Sequence, residues 1–418
     1  MPIKPLSTDK LRRRCNPEQF DFATTAELDS VTGIFGQPRG VRALEFGVGI
    51  RSRGYNIYVL GETGTGRTTA IHRYLKDKTR NQPTPDDWVY VHNFKTYHQP
   101  RAIEFPAGQG SQFKKQMGEL VNSLREDLPR AFATEEYGEA VDMVSNRAEI
   151  KQNLLMHDLE RKARAANFRI IRTAAGPAVA PIADGEVMTA EQYADLSLDE
   201  QAQIDKRQQE FEVSLEDVIK RTRQIKIDSV KELDALDRRV ARQAITLQVD
   251  ALIQMYCDHE EVLLYLAEVH DDVLDNLHDF RPNPQKPNHV ADLSRYDVNL
   301  FVDNSRTEGA PVIVEQNPSY NNLLGRIEYE MRDGYMSTHF DNIKSGALHQ
   351  ANGGYLVMEA IELLGDPYAW EALKRSIKAG EIALQPSNTL DGSRVLAKSI
   401  DPEAIPLDIK LILLGGAG

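Results

Sequence analysis

The chain has 418 residues, of which 41% are hydrophobic and 27% charged, with a formal net charge of −13 and a sequence pI of about 5.4. That length holds two or three domains with real cores. The acidic balance argues against a nucleic-acid binder that relies on a globally basic surface, and no apolar run reaches the ~18 residues of a membrane span. Cys15 and Cys257 lie far apart and give neither a metal-ligand spacing nor a disulfide framework, which fits a reducing cytoplasm. The opening Met-Pro-Ile-Lys-Pro has no apolar stretch behind it, so no secretory signal is expected.

Residues 1–30 are polar and carry prolines, and they are expected to pack as an irregular arm. In Gly33–Phe46 the apolar positions Val41, Leu44 and Phe46 predict a short helix leading to a strand at Tyr55–Leu60. Gly61–Thr68 then reads G-E-T-G-T-G-R-T, and Thr69–Leu75 has helical periodicity. Strand, glycine-rich loop and helix together are the context of a phosphate-binding P-loop. The glycines let backbone N–H groups close on phosphate oxygens, and the helix N-terminus adds its partial positive charge. Gly61, Glu62, Thr63, Gly64, Thr65, Gly66, Arg67, Thr68 and Thr69 are therefore the candidate nucleotide-binding residues, with Thr68 as a candidate Mg²⁺ ligand. Arg67 stands where the pattern has lysine, and a planar fork does not replace a compact ammonium conservatively.

A second strand is expected at Trp88–Val91, a turn at Pro106–Gly110, and a helix over Phe113–Leu128. From about Thr134 to Asp279 charge density rises and helical patterning dominates. Val230, Leu233, Leu236, Val240, Ala244, Leu247 and Ala251 recur at steps of three and four, predicting a protruding helical hairpin or coiled coil. A small β-hairpin is expected within Phe168–Met188, where turn residues interrupt a β-like run. Phe168, Ile170, Ile171, Met255, Tyr256 and Leu263–Leu266 could form an exposed capture patch or close the arm's own core. Arg281–Val290, with three prolines, reads as a linker back to the sheet. Further strands are expected at Tyr296–Val302, Pro311–Glu315, Tyr355–Met358 and Ile409–Leu414, and a helix at Trp370–Ile377. The expected division is 1–133 (arm and first part of the P-loop core), 134–280 (insertion) and 281–418 (second part of the core).

Several runs carry a family resemblance: Phe35-Gly36-Gln37, the Gly61–Thr68 loop, Trp88–Phe94, Pro106–Gly110, E-Q-N-P-S-Y-N-N-L-L-G-R-I-E over Glu315–Glu328, and G-A-L-H-Q-A-N-G-G over Gly346–Gly354. Together they resemble the N-terminal half of a Lon-like protease, from the branch with a long helical insertion in its AAA+ module. The resemblance implies an α/β fold: a P-loop AAA+-like parallel-sheet core with a mostly helical insertion, coiled coil plus small β-hairpin. It implies ATP or ADP with Mg²⁺ as ligands, unfolded or damaged proteins as substrates, and a homo-oligomeric, hexameric ring. It implies neither membrane nor nucleic acid as a partner.

In that family the strand after Gly-Gly ends in an Asp-Glu pair that holds the Mg²⁺ shell and orients the attacking water. The matching residues here are Glu359 and Ala360. Glu359 still carries a carboxylate for a metal, whereas Ala360 cannot polarise water. At the sensor strand Leu414 is followed by Gly415-Gly416, without a polar side chain. These departures, with Arg67, imply a module that has lost efficient ATP hydrolysis. An ATP-driven unfoldase that still uses Arg67, Thr68 and Glu359, and a nucleotide-free scaffold, are the alternatives. The resemblance also implies a Ser–Lys peptidase domain in the whole family protein, which is not expected within this chain, and Ser345, Ser376 and Lys378 read as ordinary residues of the core rather than a dyad. His270, Asp271, Asp272 and His278 read as a solvated face before a metal site. Neither Arg326 nor Arg332 can be assigned from sequence as a finger on a neighbour's nucleotide.

Overall fold

The computed structural model describes residues 5–12, 14–29, 37–50, 52, 54–62, 64–173, 176–281, 291–332, 335–384 and 399–416. Phe35, Gly36, Thr63 and nearly all of the proline-bearing linker lie outside the described residues. In chain order the main elements begin with α1 (Pro38–Gly49), β1 (Ile57–Leu60) and α2 (Arg67–Thr79). Next come β2 (Asp87–Val91), β3 (Arg101–Phe105), α3 (Gln109–Phe132), α4 (Glu135–Ala165), β4 (Phe168–Thr173), β5 (Gly176–Ala183) and β6 (Glu186–Val187). The chain continues through α5 (Leu198–Met255), α6 (Glu260–Asp275), β7 (Val298–Val302), β8 (Val312–Glu315), β9 (Tyr355–Glu359), α7 (Pro367–Ala379) and β10 (Lys410–Gly415). Among the described residues no helix is long and apolar enough to cross a membrane.

The chain divides into two compact units. One comprises Met1–Trp88, Glu104–Gln109 and Phe301–Gly418, the other Val89–Ile103 and Gly110–Leu300. The first unit is built on a four-stranded parallel sheet in the order β1-β10-β9-β8. Its central strands are apolar on both faces, as expected for parallel strands covered on two sides. Val357, Ile412 and Leu414 pack towards Leu44 of α1 and Ile71 and Leu75 of α2. Leu356, Met358 and Leu411 pack on the other face with Leu363 and with Ala369, Ala372 and Leu373 of α7. Asp366 starts α7 by accepting from the N–H groups of Tyr368 and Ala369.

One feature departs from the sequence reading. β2 and β7 do not join the P-loop sheet. They pair in a separate three-stranded sheet, order β3-β2-β7, whose edge strand β3 the periodicity missed. Within β3 the residues Arg101 and Glu104 interrupt an otherwise buried run, which hides its strand character. The strands before and after the insertion are neighbours in this sheet.

In the second unit, α3 buries Phe113, Met117, Leu120, Leu124 and Leu128, and α6 buries Val262, Tyr265, Leu266 and Val269. The Phe113 ring meets Tyr256 at 5.3 Å and Tyr265 at 6.2 Å between centroids. α4 and α5 run side by side as a hairpin, linked by Tyr137 to Asp237 (2.6 Å) and Arg147 to Glu232 (3.0 Å), but α5 buries Leu236, Ala241, Ile245, Val249 and Leu252, while Val230, Leu247 and Ala251 of the predicted stripe are exposed. α5 has 58 residues, which at 1.5 Å per residue is about 87 Å. A Ser197–Glu200 capping box starts it. At the far end of the hairpin a small core gathers Leu159, Ala163, Phe168, Val179 and Leu215 around the β4–β5–β6 hairpin. Of the candidate capture residues, only Met255 and Leu264 are exposed; Phe168 and Ile170 pack in the small core at the tip, and Tyr256 and Tyr265 are buried against Phe113 of α3.

This packing predicts where the arm can be cut. Replacing 150–229 by a short flexible linker removes the tip with its own core, and the Arg147–Glu232 pair leaves the cut ends adjacent. That variant is expected to stay soluble and melt cooperatively. Removing all of 134–280 takes Tyr256 and Tyr265 from Phe113 on the buried face of α3, and is expected to aggregate. Size-exclusion chromatography and urea denaturation check both. Loss of the cooperative transition in the shorter deletion would show that the tip is not an independent packing unit.

Candidate functional site

The loop after β1 takes the conformation its glycines permit. Gly64 and Gly66 sit at φ of 83° and 80°, in the left-handed region where a Cβ is strained. Thr65 Oγ donates to the Glu62 carbonyl at 2.7 Å, closing the loop on itself. α2 begins at Arg67 with Gly66 as its N-cap. An open cleft of about 1190 Å³ lies over this loop, walled by Leu44 and Phe46 of α1, Tyr55, Tyr58, Arg67 and Ile71. Of the candidate nucleotide residues, Gly61, Glu62, Thr65, Gly66, Arg67 and Thr69 line it, while Thr68 is half-buried and off the lining.

At the wall of the cleft, the Arg67 guanidinium is committed to groups of the protein itself. It donates to the Gly61 carbonyl at 2.7 Å, to the Gly415 carbonyl, and to Glu359 Oε2 at 3.4 Å. Only 9% of the side chain is exposed, against 35% for Glu359. The loop residue and the β9 carboxylate that the sequence singled out are therefore brought together, but as partners of each other. A hydrated divalent ion needs that carboxylate, and near-octahedral geometry around it. With the Glu359 carboxylate held by a guanidinium, the residues present do not fit Mg²⁺. Ala360 starts the helix after β9 and is 9% exposed, with no side-chain group to hold a water.

Two further residues shape the site that sequence reasoning did not single out. Tyr58 lies across the end of β10: a Cβ built on Gly415 would stand 1.7 Å from the Tyr58 hydroxyl oxygen. A side chain at position 415 would therefore have to displace the phenol. Lys410, at the head of β10, donates to the Gly47 carbonyl at 2.6 Å and the Val48 carbonyl at 3.4 Å, and also to the Ile50 carbonyl. It thereby satisfies carbonyls at the C-terminal end of α1, where a cation is favoured. Burial pushes its amine below the ordinary lysine value. The signal available in the sequence was a lone lysine opening the apolar run Leu411–Leu414.

The remaining candidates resolve into packing. Asp272 accepts from Tyr296 Oη at 2.6 Å and Arg295 Nε at 2.7 Å, and Arg295 also meets Asp279 at 2.7 Å. His270 and His278 stand beside Asp271 and Asp279 respectively, and no group of His, Cys, Asp and Glu among the described residues could hold a metal. Arg326 pairs with Glu328 at 2.7 Å. Ser376 is buried within α7 while Lys378 is exposed, which leaves them on different faces of the helix.

Comparison with known proteins gives two family matches. Residues 308–418 match the family model described as "LonB-like, AAA domain", and residues 87–120 match one described as "Lon-like LonC helical domain". A search of curated proteins found no match. The first match spans β8, β9, α7 and β10, three of the four strands of the parallel sheet and the Gly346–Gly354 run. The two matches support a Lon-like AAA region over residues 308–418 and a stretch similar to the Lon-like LonC helical domain over residues 87–120.

Proposed function

We propose that this chain is the substrate-handling, gating module of a Lon-like serine protease acting on unfolded or damaged proteins, and that its loop has lost efficient ATP hydrolysis. The observation that carries the reading is the Arg67–Glu359 pair, which engages the Walker B carboxylate internally, beside an alanine where the water-orienting carboxylate belongs. Such modules would assemble as a homo-oligomeric ring, hexameric in the whole protein, over a peptidase chamber. The α4–α5 arm would gate access or make first contact with substrate. It keeps Met143, Ile150 and Leu154 of α4 exposed, as well as Ile227 and Val230 of α5. An ATP-driven unfoldase would need Glu359 released from Arg67 at each cycle.

ATP turnover tests the reading. Loss of a positioning group commonly costs on the order of 10²–10³ in rate, so the wild-type chain is expected to hydrolyse ATP at no more than a trace. A turnover near ~1 s⁻¹, abolished by Thr68→Ala, would overturn it. Arg67→Lys combined with Ala360→Glu is expected to turn over faster than wild type.

A further inference from the structure

The three acceptors of Arg67 come from three different places in the sheet. Gly61 follows β1, Gly415 ends β10 and Glu359 ends β9, and these strands are adjacent in the order β1-β10-β9. Leu60 pairs with Gly415 and Glu359 with Leu414, so the three ends are level with one another. Two strand-end carbonyls and a carboxylate are a set of acceptors that attracts a cation. A guanidinium has its donors fixed in a plane and diverging, which matches acceptors spread along a sheet edge better than the compact ammonium of lysine would. Gly61 makes room for the stem: a Cβ there would lie 3.1 Å from Arg67 Cδ and 3.6 Å from Cγ.

We propose that Arg67 is the resident cation of this loop. It ties the glycine loop to the β9 and β10 strand ends, a link that a nucleotide-bound divalent ion would otherwise make, and it holds the core in one conformation without metal. The inference rests on reading the loop as a former nucleotide site, but not on whether ATP is turned over. It accounts for arginine and glycine at positions 67 and 61 as a matched pair, and it predicts that the site has no affinity for a divalent ion even with nucleotide present.

Two measurements test it. In the first, Mn²⁺ is titrated into the wild-type chain with ADP, and protein-bound Mn²⁺ is read from the enhancement of water-proton relaxation. No enhancement above that of Mn²⁺ and ADP alone is expected. One Mn²⁺ bound per chain would overturn the proposal. In the second, thermal melting of wild type, Arg67→Met, Glu359→Gln and the double variant is compared. Each single change is expected to lower Tm by roughly 2–4 °C, with the double variant no worse than the weaker single because the two residues act as one link. Melting of Arg67→Met at the wild-type temperature, or strict additivity, would sink the idea. If Arg67→Met does not fold, the Mn²⁺ titration of the wild type still decides. A chain that turns over ATP yet binds no Mn²⁺ and keeps the Arg67–Glu359 coupling would remove the loss-of-hydrolysis reading and leave this one. A chain that binds Mn²⁺ without turnover would do the reverse.

Discussion

Gly354→Ala is expected to destabilise the parallel-sheet unit by about 3 kcal/mol or more, at the upper end of what overpacking costs. Gly354 lies where β9 begins, between β8 and β10. Its carbonyl accepts from the Lys410 N–H at 3.0 Å, and the Pro311 carbonyl beside it accepts from the Tyr355 N–H at 2.8 Å. A Cβ at this position would stand 2.2 Å from the Pro311 carbonyl oxygen and 2.7 Å from Pro311 Cδ. The clash is with backbone, so no rotamer relieves it. The strands would have to separate at the point where their pairing starts. Gly346 is under the same constraint, its Cβ falling 2.3 Å from both the Gly325 nitrogen and the Leu323 oxygen. Urea denaturation measures the loss. Gly118→Ala is the control: it lies within α3 with nothing within 4 Å of the added carbon, and should be stabilising by roughly 0.5–1 kcal/mol. A Gly354→Ala protein as stable as wild type would mean that the β8–β9 approach is looser than described.

The same glycines show what the sequence could and could not disclose. The G-A-L-H-Q-A-N-G-G run marked this stretch as part of a family pattern, and the structure gives the pattern a packing cause: a Cβ on any of its three glycines would come within 3 Å of a neighbouring atom. The parallel strands were legible because each is a short apolar run bounded by turn residues. The strand Arg101–Phe105 was not, since its charged residues break the run, and Arg101 is spent on Glu268 at 3.0 Å. The loop was legible in its spacing, but the fate of Arg67 was not. Its partners lie 292 and 348 residues away in the chain, and no local pattern records a tertiary pairing of that length. Lys410 escaped notice for the same reason, since its acceptors are more than 350 residues away. Burial on the arm was legible only in part. Tyr256 caps α5 next to exposed Met255, and only its contact with Phe113 of α3 explains its cover, whereas on α6 the buried Val262, Tyr265, Leu266 and Val269 do follow helical spacing and exposed Leu264 lies off that stripe.

The histidine of that run should make the parallel-sheet unit acid-sensitive. His349 is 1% exposed and packs edge-on against Phe301, with ring centroids 4.6 Å apart. Its Nδ1 accepts from the Gly346 N–H at 3.3 Å, so the neutral ring carries its proton on Nε2, which has no hydrogen-bond partner among the described residues. Burial penalises the charged form and pushes the pKa down from 6.5 to about 3. Above pH 6.5 the ring is neutral in both folded and unfolded chains, and the stability linked to it is fully present. Below 6.5 the unfolded chain takes up a proton that the folded chain refuses, so stability falls with pH until the folded ring itself titrates near 3. One such proton is worth about 1.4 kcal/mol per pH unit, or about 2 kcal/mol between pH 6.5 and 5. His349→Gln keeps an acceptor for the Gly346 N–H but cannot charge. It should be less stable than wild type at pH 7 by about 1–2 kcal/mol, through poorer packing on Phe301. Between pH 6.5 and 5 its stability should fall less steeply, by one proton. Carboxylates titrate alike in both proteins, so the difference between the two urea-derived stability curves isolates the ring. Parallel curves over that window would mean that the folded chain accepts the proton, and that His349 is not held neutral by its burial.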